Sequence, residues 1–116
     1  MPWWLALLNS VMGVVSAIAA AAALLRPGLL APGSTGADGD RFYPAMYAAR
    51  AVPLGVLVAV TVWLTPVYPL TQAVLTVAAL AQLGDIVTGI ARRQPGMAGG
   101  AVVAAACHVA GLAALQ

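Results

Sequence analysis

From Trp3 to Leu25 the chain carries no charged side chain, and only Asn9, Ser10 and Ser16 interrupt its apolar character. A helix needs about 20 such residues to cross the roughly 30 Å of hydrocarbon in a bilayer. In lipid every backbone N–H and C=O must find its partner within the spanning structure, which leaves a helix as the form open to such a run. Three further apolar runs follow, over 42–64, 70–91 and 97–115, with Arg50 and Asp85 as the only charged side chains within them. The expected fold is therefore all-α, a polytopic integral membrane four-helix bundle. It makes one domain over 1–116, with a Gly-, Pro- and Asp-rich loop at 26–41 and turns at 65–69 and 92–96.

A soluble alternative fails on composition. The chain is 63% hydrophobic and 7% charged, whereas a soluble domain carries roughly 25% charged residues. The run Ala19 to Ala23 resembles a signal-peptide cleavage region, but Met1-Pro2-Trp3-Trp4 lacks the positive start that such a peptide needs. The first span is expected to be retained. The second contains Pro53, which membrane helices tolerate when neighbours satisfy the freed carbonyl, so a local kink near Arg50 is expected.

The five cations are all arginines, and the net charge of +2 is too small and too dispersed for a nucleic-acid footprint. Cys107 is the only cysteine, which excludes an internal disulfide or a CxxC redox pair and suits a small packing residue. Asp38-x-Asp40 falls short of the roughly six oxygens a hard cation wants. One histidine and one intramembrane aspartate fall short of a three-ligand transition-metal site. No metal or cofactor is expected. Abundant Ala, Gly, Val and Arg without Lys suggests a GC-rich bacterial genome, and hence a bacterial inner membrane.

Orientation follows from two signals. Arg26, Arg41, Arg92 and Arg93 fall in or beside the loops at 26–41 and 92–96, which the positive-inside rule makes cytoplasmic. Trp3, Trp4, Trp63 and Tyr68 map to the opposite interface, where amphipathic rings favour the headgroup layer. Both termini are thus expected outside the cytoplasm.

The informative residues are the polar ones within the spans. Arg50 lies about eight residues in from the cytoplasmic end of the second span, roughly 12 Å deep, and Asp85 about 10 Å deep in the antiparallel third. Alone, each would cost on the order of 2.5–3.5 kcal/mol, so they are natural partners. Gln82 stands one turn deeper than Asp85, His108 lies roughly 16 Å from the cytoplasmic side, and Ser16 projects to a similar level. The expectation is a polar cluster of Arg50, Asp85, Gln82 and His108, edged by Tyr47 and Ser16. Tyr43, Tyr47, Arg50 and Leu54 share one helical stripe, the tyrosines also suiting interfacial anchors. Gly96, Gly100, Ala104 and His108 form a small-residue stripe, as do Gly13, Ala17 and Ala21. Such stripes let helices approach closely, within one chain or between two copies.

Two classes of function fit the cluster. Desolvation and a neighbouring arginine act oppositely on an aspartate, so Asp85 could act as acid or base, with His108 as partner and Arg50 binding an oxygen. That describes a membrane isomerase or cyclase acting on a lipophilic molecule such as a quinone, isoprenoid or polyketide. In the other class Arg50–Asp85 is a structural ion pair of a noncatalytic subunit or scaffold. A third class, a small transporter, is the least favoured: small multidrug exporters match in length and helix count but need a glutamate in the first helix, and this chain has no glutamate, which leaves Asp85 as the one acid within a span.

Arg50-x-x-x-x-Gly55, Gly84-Asp85 and His108-x-x-Gly111 together resemble the DoxX-like group of small four-helix bacterial membrane proteins, over residues 42–115. The resemblance implies a four-helix membrane fold. Founding members of that group are associated with thiosulfate:quinone oxidoreduction as one subunit of a complex. With a single cysteine, sulfur chemistry is not carried over to this chain.

Overall fold

The computed structural model describes residues 1–26, 38–64 and 68–116, and all side chains within them but those of 38–43 and 68. Among the described residues there are four helices and no strand: α1 (Trp3–Leu25), α2 (Asp38–Thr61), α3 (Tyr68–Ala91) and α4 (Pro95–Ala114). Each is long and apolar enough to cross a membrane, so the chain is a multi-pass membrane protein. The shortest, α4, has 20 residues, about 30 Å at 1.5 Å per residue, which matches the hydrocarbon thickness. The long axis of the bundle is 46 Å, close to the roughly 40–45 Å of a bilayer with its headgroups.

The helix ends differ from the sequence expectation in instructive ways. The loop expected at 26–41 gives up its last part, because α2 begins at Asp38; extending an existing helix adds one hydrogen bond per residue fixed, without a new nucleus. The rest of that loop, 27–37, and 65–67 of the next turn lie outside the described residues. At its far end α2 stops at Thr61 rather than 64, closed by Trp63 N–H to Val60 O (3.1 Å) and Leu64 N–H to Thr61 O (3.1 Å). It runs as one helix through Pro44 and Pro53.

The turn expected at 92–96 is shorter. Arg93 takes a left-handed φ of 54°, and Gln94 N–H returns to Gly89 O at 2.7 Å, a Schellman-type stop. Pro95 then opens α4, where its missing N–H costs nothing. Gly89 keeps the two helices close beyond the turn: a Cβ there would stand 2.9 Å from Ala98 N.

The bundle is inside out relative to a soluble one. Val14, Ile18, Leu80, Val87 and Val102 are exposed, while the interior holds many alanines together with Asn9, Asp85 and His108. Small interior residues fit a bundle whose outside is solvated by acyl chains, since close backbone approach then replaces the hydrophobic effect as the cohesive term. Contacts are richest between α1 and α2 and between α3 and α4, and thinner along the α1–α4 and α2–α3 seams. Gly13 packs on Gly55, so close that a Cβ on Gly13 would lie 2.5 Å from Gly55 O. The small stripe of α1 therefore serves α2 rather than α4.

Two ends result. At the tryptophan end Ala6, Val58, Val62, Leu75 and Leu115 pack into one cluster drawn from all four helices. Trp63 Nε1–H donates to Ser10 Oγ at 2.6 Å, and Ser10 donates to Ala59 O at 2.9 Å, clasping α1 to α2. At the arginine end the buried cluster among the described residues is Ala20, Ala48 and Ala51, from α1 and α2. Gly96 and Gly100 of α4 face open space there.

Candidate functional site

Asp85 stands in the C-terminal part of α3 and Arg50 near the middle of α2, and the two meet: Arg50 Nη2–H donates to Asp85 Oδ1 at 2.6 Å. A second, longer bond runs from Arg50 Nη1–H to Ala81 O at 3.5 Å. Oδ2 of Asp85 accepts no hydrogen bond among the described residues. The pair bridges the thin α2–α3 seam. The two side chains are not equally buried, at 43% exposed for Arg50 and 10% for Asp85. Arg50 is thus not the buried group that the sequence suggests. Its side chain stays partly exposed while its guanidinium reaches the carboxylate across the seam. The Tyr47 ring lies beside the guanidinium, 5.6 Å from its centroid to Arg50 Cζ, a distance at which the ring face attracts a cation.

Two spaces adjoin the pair and share part of their walls. An inner cavity of about 20 Å³ lies among all four helices, walled by Ser16, Arg50, Leu54, Gln82, Asp85 and His108 among others. An outer cleft of about 110 Å³ is walled by Ser16 of α1, Tyr47 of α2, Gln82 and Asp85 of α3, and Gly96 and Gly100 of α4. Ser16, Gln82 and Asp85 line both and mark their junction. The structure therefore gathers Arg50, Asp85, Gln82, His108, Ser16 and Tyr47 around these two spaces. Tyr43 carries a side chain outside the described set.

The expected pairing of His108 with Asp85 does not form. His108 Nδ1 instead bonds Asn9 Oδ1 at 2.8 Å, and Asn9 Nδ2–H donates to Leu5 O and Cys107 O, each at 3.0 Å. Both residues are buried, Asn9 at 0% and His108 at 2% exposure. Gly111 makes this possible, because a Cβ there would stand 3.0 Å from Asn9 Nδ2. That gives the His108-x-x-Gly111 spacing a physical cause. Gly55 is likewise explained by its crossing with Gly13, whereas a Cβ on Gly84 meets nothing and the structure gives no reason for that glycine.

Asn9 is the functional-site residue that the sequence reading overlooks. The signal was present. Asn9 lies about 9 Å from the tryptophan end of α1, and His108 about 10 Å from the same end of α4. Depth matching, which pairs Arg50 with Asp85, pairs these two once depth is counted from the tryptophan end.

Against known proteins, the chain matches no family model, no curated sequence and no solved structure.

Proposed function

We propose that this chain is a small multi-pass protein of the DoxX-like type that binds a lipophilic small molecule in the outer cleft. The observation that carries the reading is the cleft itself: about 110 Å³ between helices, glycine-walled on the α4 side, with a carboxylate, an amide and two hydroxyls on its walls. Binding sites of this kind combine an apolar surround with a few convergent polar groups. Gln82 and Ser16 make no hydrogen bond of their own among the described residues, so each is free to hold a ligand's head. The reading places the protein in a bacterial inner membrane with both termini outside the cytoplasm, supported by Arg26, Arg92 and Arg93 at one end and Trp3, Trp4 and Trp63 at the other.

Within this reading, Asp85 Oδ2 is the atom available for chemistry. A base needs an accessible lone pair within hydrogen-bond reach of the proton it takes, and the residue with that free oxygen lines the cleft. An isomerase or cyclase step at Asp85 is consistent with that placement. A second reading, a noncatalytic subunit or scaffold, is favoured by the ion pair spanning the thinnest described seam, α2–α3.

The two readings part on one experiment. Asp85→Asn, Arg50→Gln and the double variant are compared for unfolding in SDS titration and for phenol binding in nanodiscs. The ligand-site reading expects Asp85→Asn to weaken phenol binding at least about tenfold while losing under about 2 kcal/mol of stability. The scaffold reading expects each single variant to lose about 3 kcal/mol, with the double variant restoring most of it, because a lone intramembrane charge is what costs.

A further inference from the structure

We propose that Asn9 is a positioning residue that fixes the tautomer of His108, and that the inner cavity accepts the hydroxyl group of a ring-sized lipophilic ligand. The inference rests on the ligand-binding role proposed above and names the chemistry that role selects.

The argument starts from the two ends of one amide. Asn9 Nδ2 faces two carbonyl oxygens, of Leu5 and Cys107, both at 3.0 Å. Carbonyls only accept, so the nitrogen end of the amide must lie there and the oxygen end must face His108. That oxygen is 2.8 Å from Nδ1. It too only accepts, so Nδ1 carries the proton. A neutral imidazole has one ring proton, which leaves Nε2 with its lone pair.

Nε2 has no hydrogen-bond partner among the described residues. Among the described residues no fully enclosed side-chain nitrogen or oxygen lacks a partner. Nε2 therefore reaches open space, and the space that His108 borders is the inner cavity. At about 20 Å³ this cavity holds one oxygen-sized group, since a water needs roughly 10–15 Å³ on the same measure. The outer cleft, about 110 Å³ and only partly enclosed, is somewhat smaller than the roughly 150 Å³ that takes benzene, so one aromatic ring fills it and reaches into its opening.

Size and polarity then combine. A ring in the outer cleft can direct a substituent through the junction at Ser16, Gln82 and Asp85 into the inner cavity. There it meets lone pairs on His108 Nε2 and Asp85 Oδ2. An O–H satisfies one of them, whereas an ether oxygen in its place sets lone pair against lone pair. Sites built to hydrogen-bond a hydroxyl discriminate strongly against analogues that lack it.

The test uses the full chain in lipid nanodiscs with ¹⁵N-labelled histidine. His108 is the sole histidine, so the imidazole spectrum has one owner. Two-bond ¹H–¹⁵N correlation is expected to show Nδ1 protonated and Nε2 bare. Phenol is expected to shift Nε2, and anisole, the same ring without the O–H, to need at least about tenfold more for an equal shift. Protonated Nε2, alone or with Nδ1, overturns the proposal. Equal responses to phenol and anisole overturn the hydroxyl selectivity while leaving the ligand-site reading standing. A Nε2 signal that ignores phenol while Gln82 and Met97 respond in a second sample, labelled with ¹⁵N-glutamine and ¹³C-methyl methionine, assigns the acceptor to water only, and also overturns it. If no cleft resonance responds to either probe, the ligand-site reading itself fails. The role of Asn9 is read separately. Asn9→Leu, or the milder Gly111→Ala that crowds Asn9 Nδ2, is expected to populate the other tautomer; an unchanged spectrum in either folded variant overturns it.

Discussion

Two glycine-bearing stripes in this chain have the same spacing and opposite uses. On α1, Gly13 brings the backbone against Gly55 of α2, leaving no room for a Cβ on either residue. On α4, Gly96 and Gly100 meet nothing within 4 Å of the Cβ they lack, and they form one wall of the outer cleft. Small residues at helical spacing grant permission for close approach; they do not say whether a backbone takes it. What decides here is the neighbour. Gly55 stands opposite Gly13, whereas the α1 wall of the cleft that Gly100 lines carries Met12, Val15, Ser16 and Ala19 and no glycine.

Substitutions at the two stripes turn this contrast into numbers. Gly13→Val is expected to have the largest effect. Its side chain would drive into Gly55 O, and overpacking of this kind costs about 3 kcal/mol or more, visible as a large drop in the SDS midpoint. Asn9→Leu tests the point where the α1–α4 seam does close. It strands His108 Nδ1 in the interior, and a loss of about 1–2 kcal/mol is expected. Ser10→Ala removes the hydroxyl between Trp63 and Ala59, which should cost about 0.6 kcal/mol, the average for an interhelical hydrogen bond in lipid. Gly100→Ala should be neutral or gain about 0.5 kcal/mol from helix propensity. A large loss there would show that α4 uses Gly100 for packing, and the contrast between the stripes would vanish.

The fold was legible because its constraint is severe. Uncharged runs such as Trp3–Leu25 leave the backbone few ways to satisfy itself in lipid, so helix number and order follow directly. Boundaries were less legible. Asp38 extends α2 into what reads as loop, and Pro95 starts α4 inside what reads as turn, since helix ends are set by local hydrogen bonding that composition does not reveal. The Arg50–Asp85 contact was legible from matched depth and opposite charge. Arg50's exposure was not, because depth along the membrane says nothing about rotation about the helix axis. His108 illustrates the limit of looking for charge alone: its partner is the neutral Asn9, and a neutral amide attracts less notice than an aspartate while satisfying more hydrogen bonds.

The glycine contrast also separates folding from function. If the open stripe exists to leave space for a ligand, filling the space should remove binding without touching stability. Gly100→Leu, with Ser16→Leu as the same change from the opposite wall, can be followed by phenol titration in nanodiscs alongside SDS unfolding. The structure predicts midpoints within about 0.5 kcal/mol of the parent for Gly100→Leu and phenol binding weakened at least about tenfold. Parent-like phenol binding in both folded variants would contradict it, and would return the outer cleft to being a gap between helices.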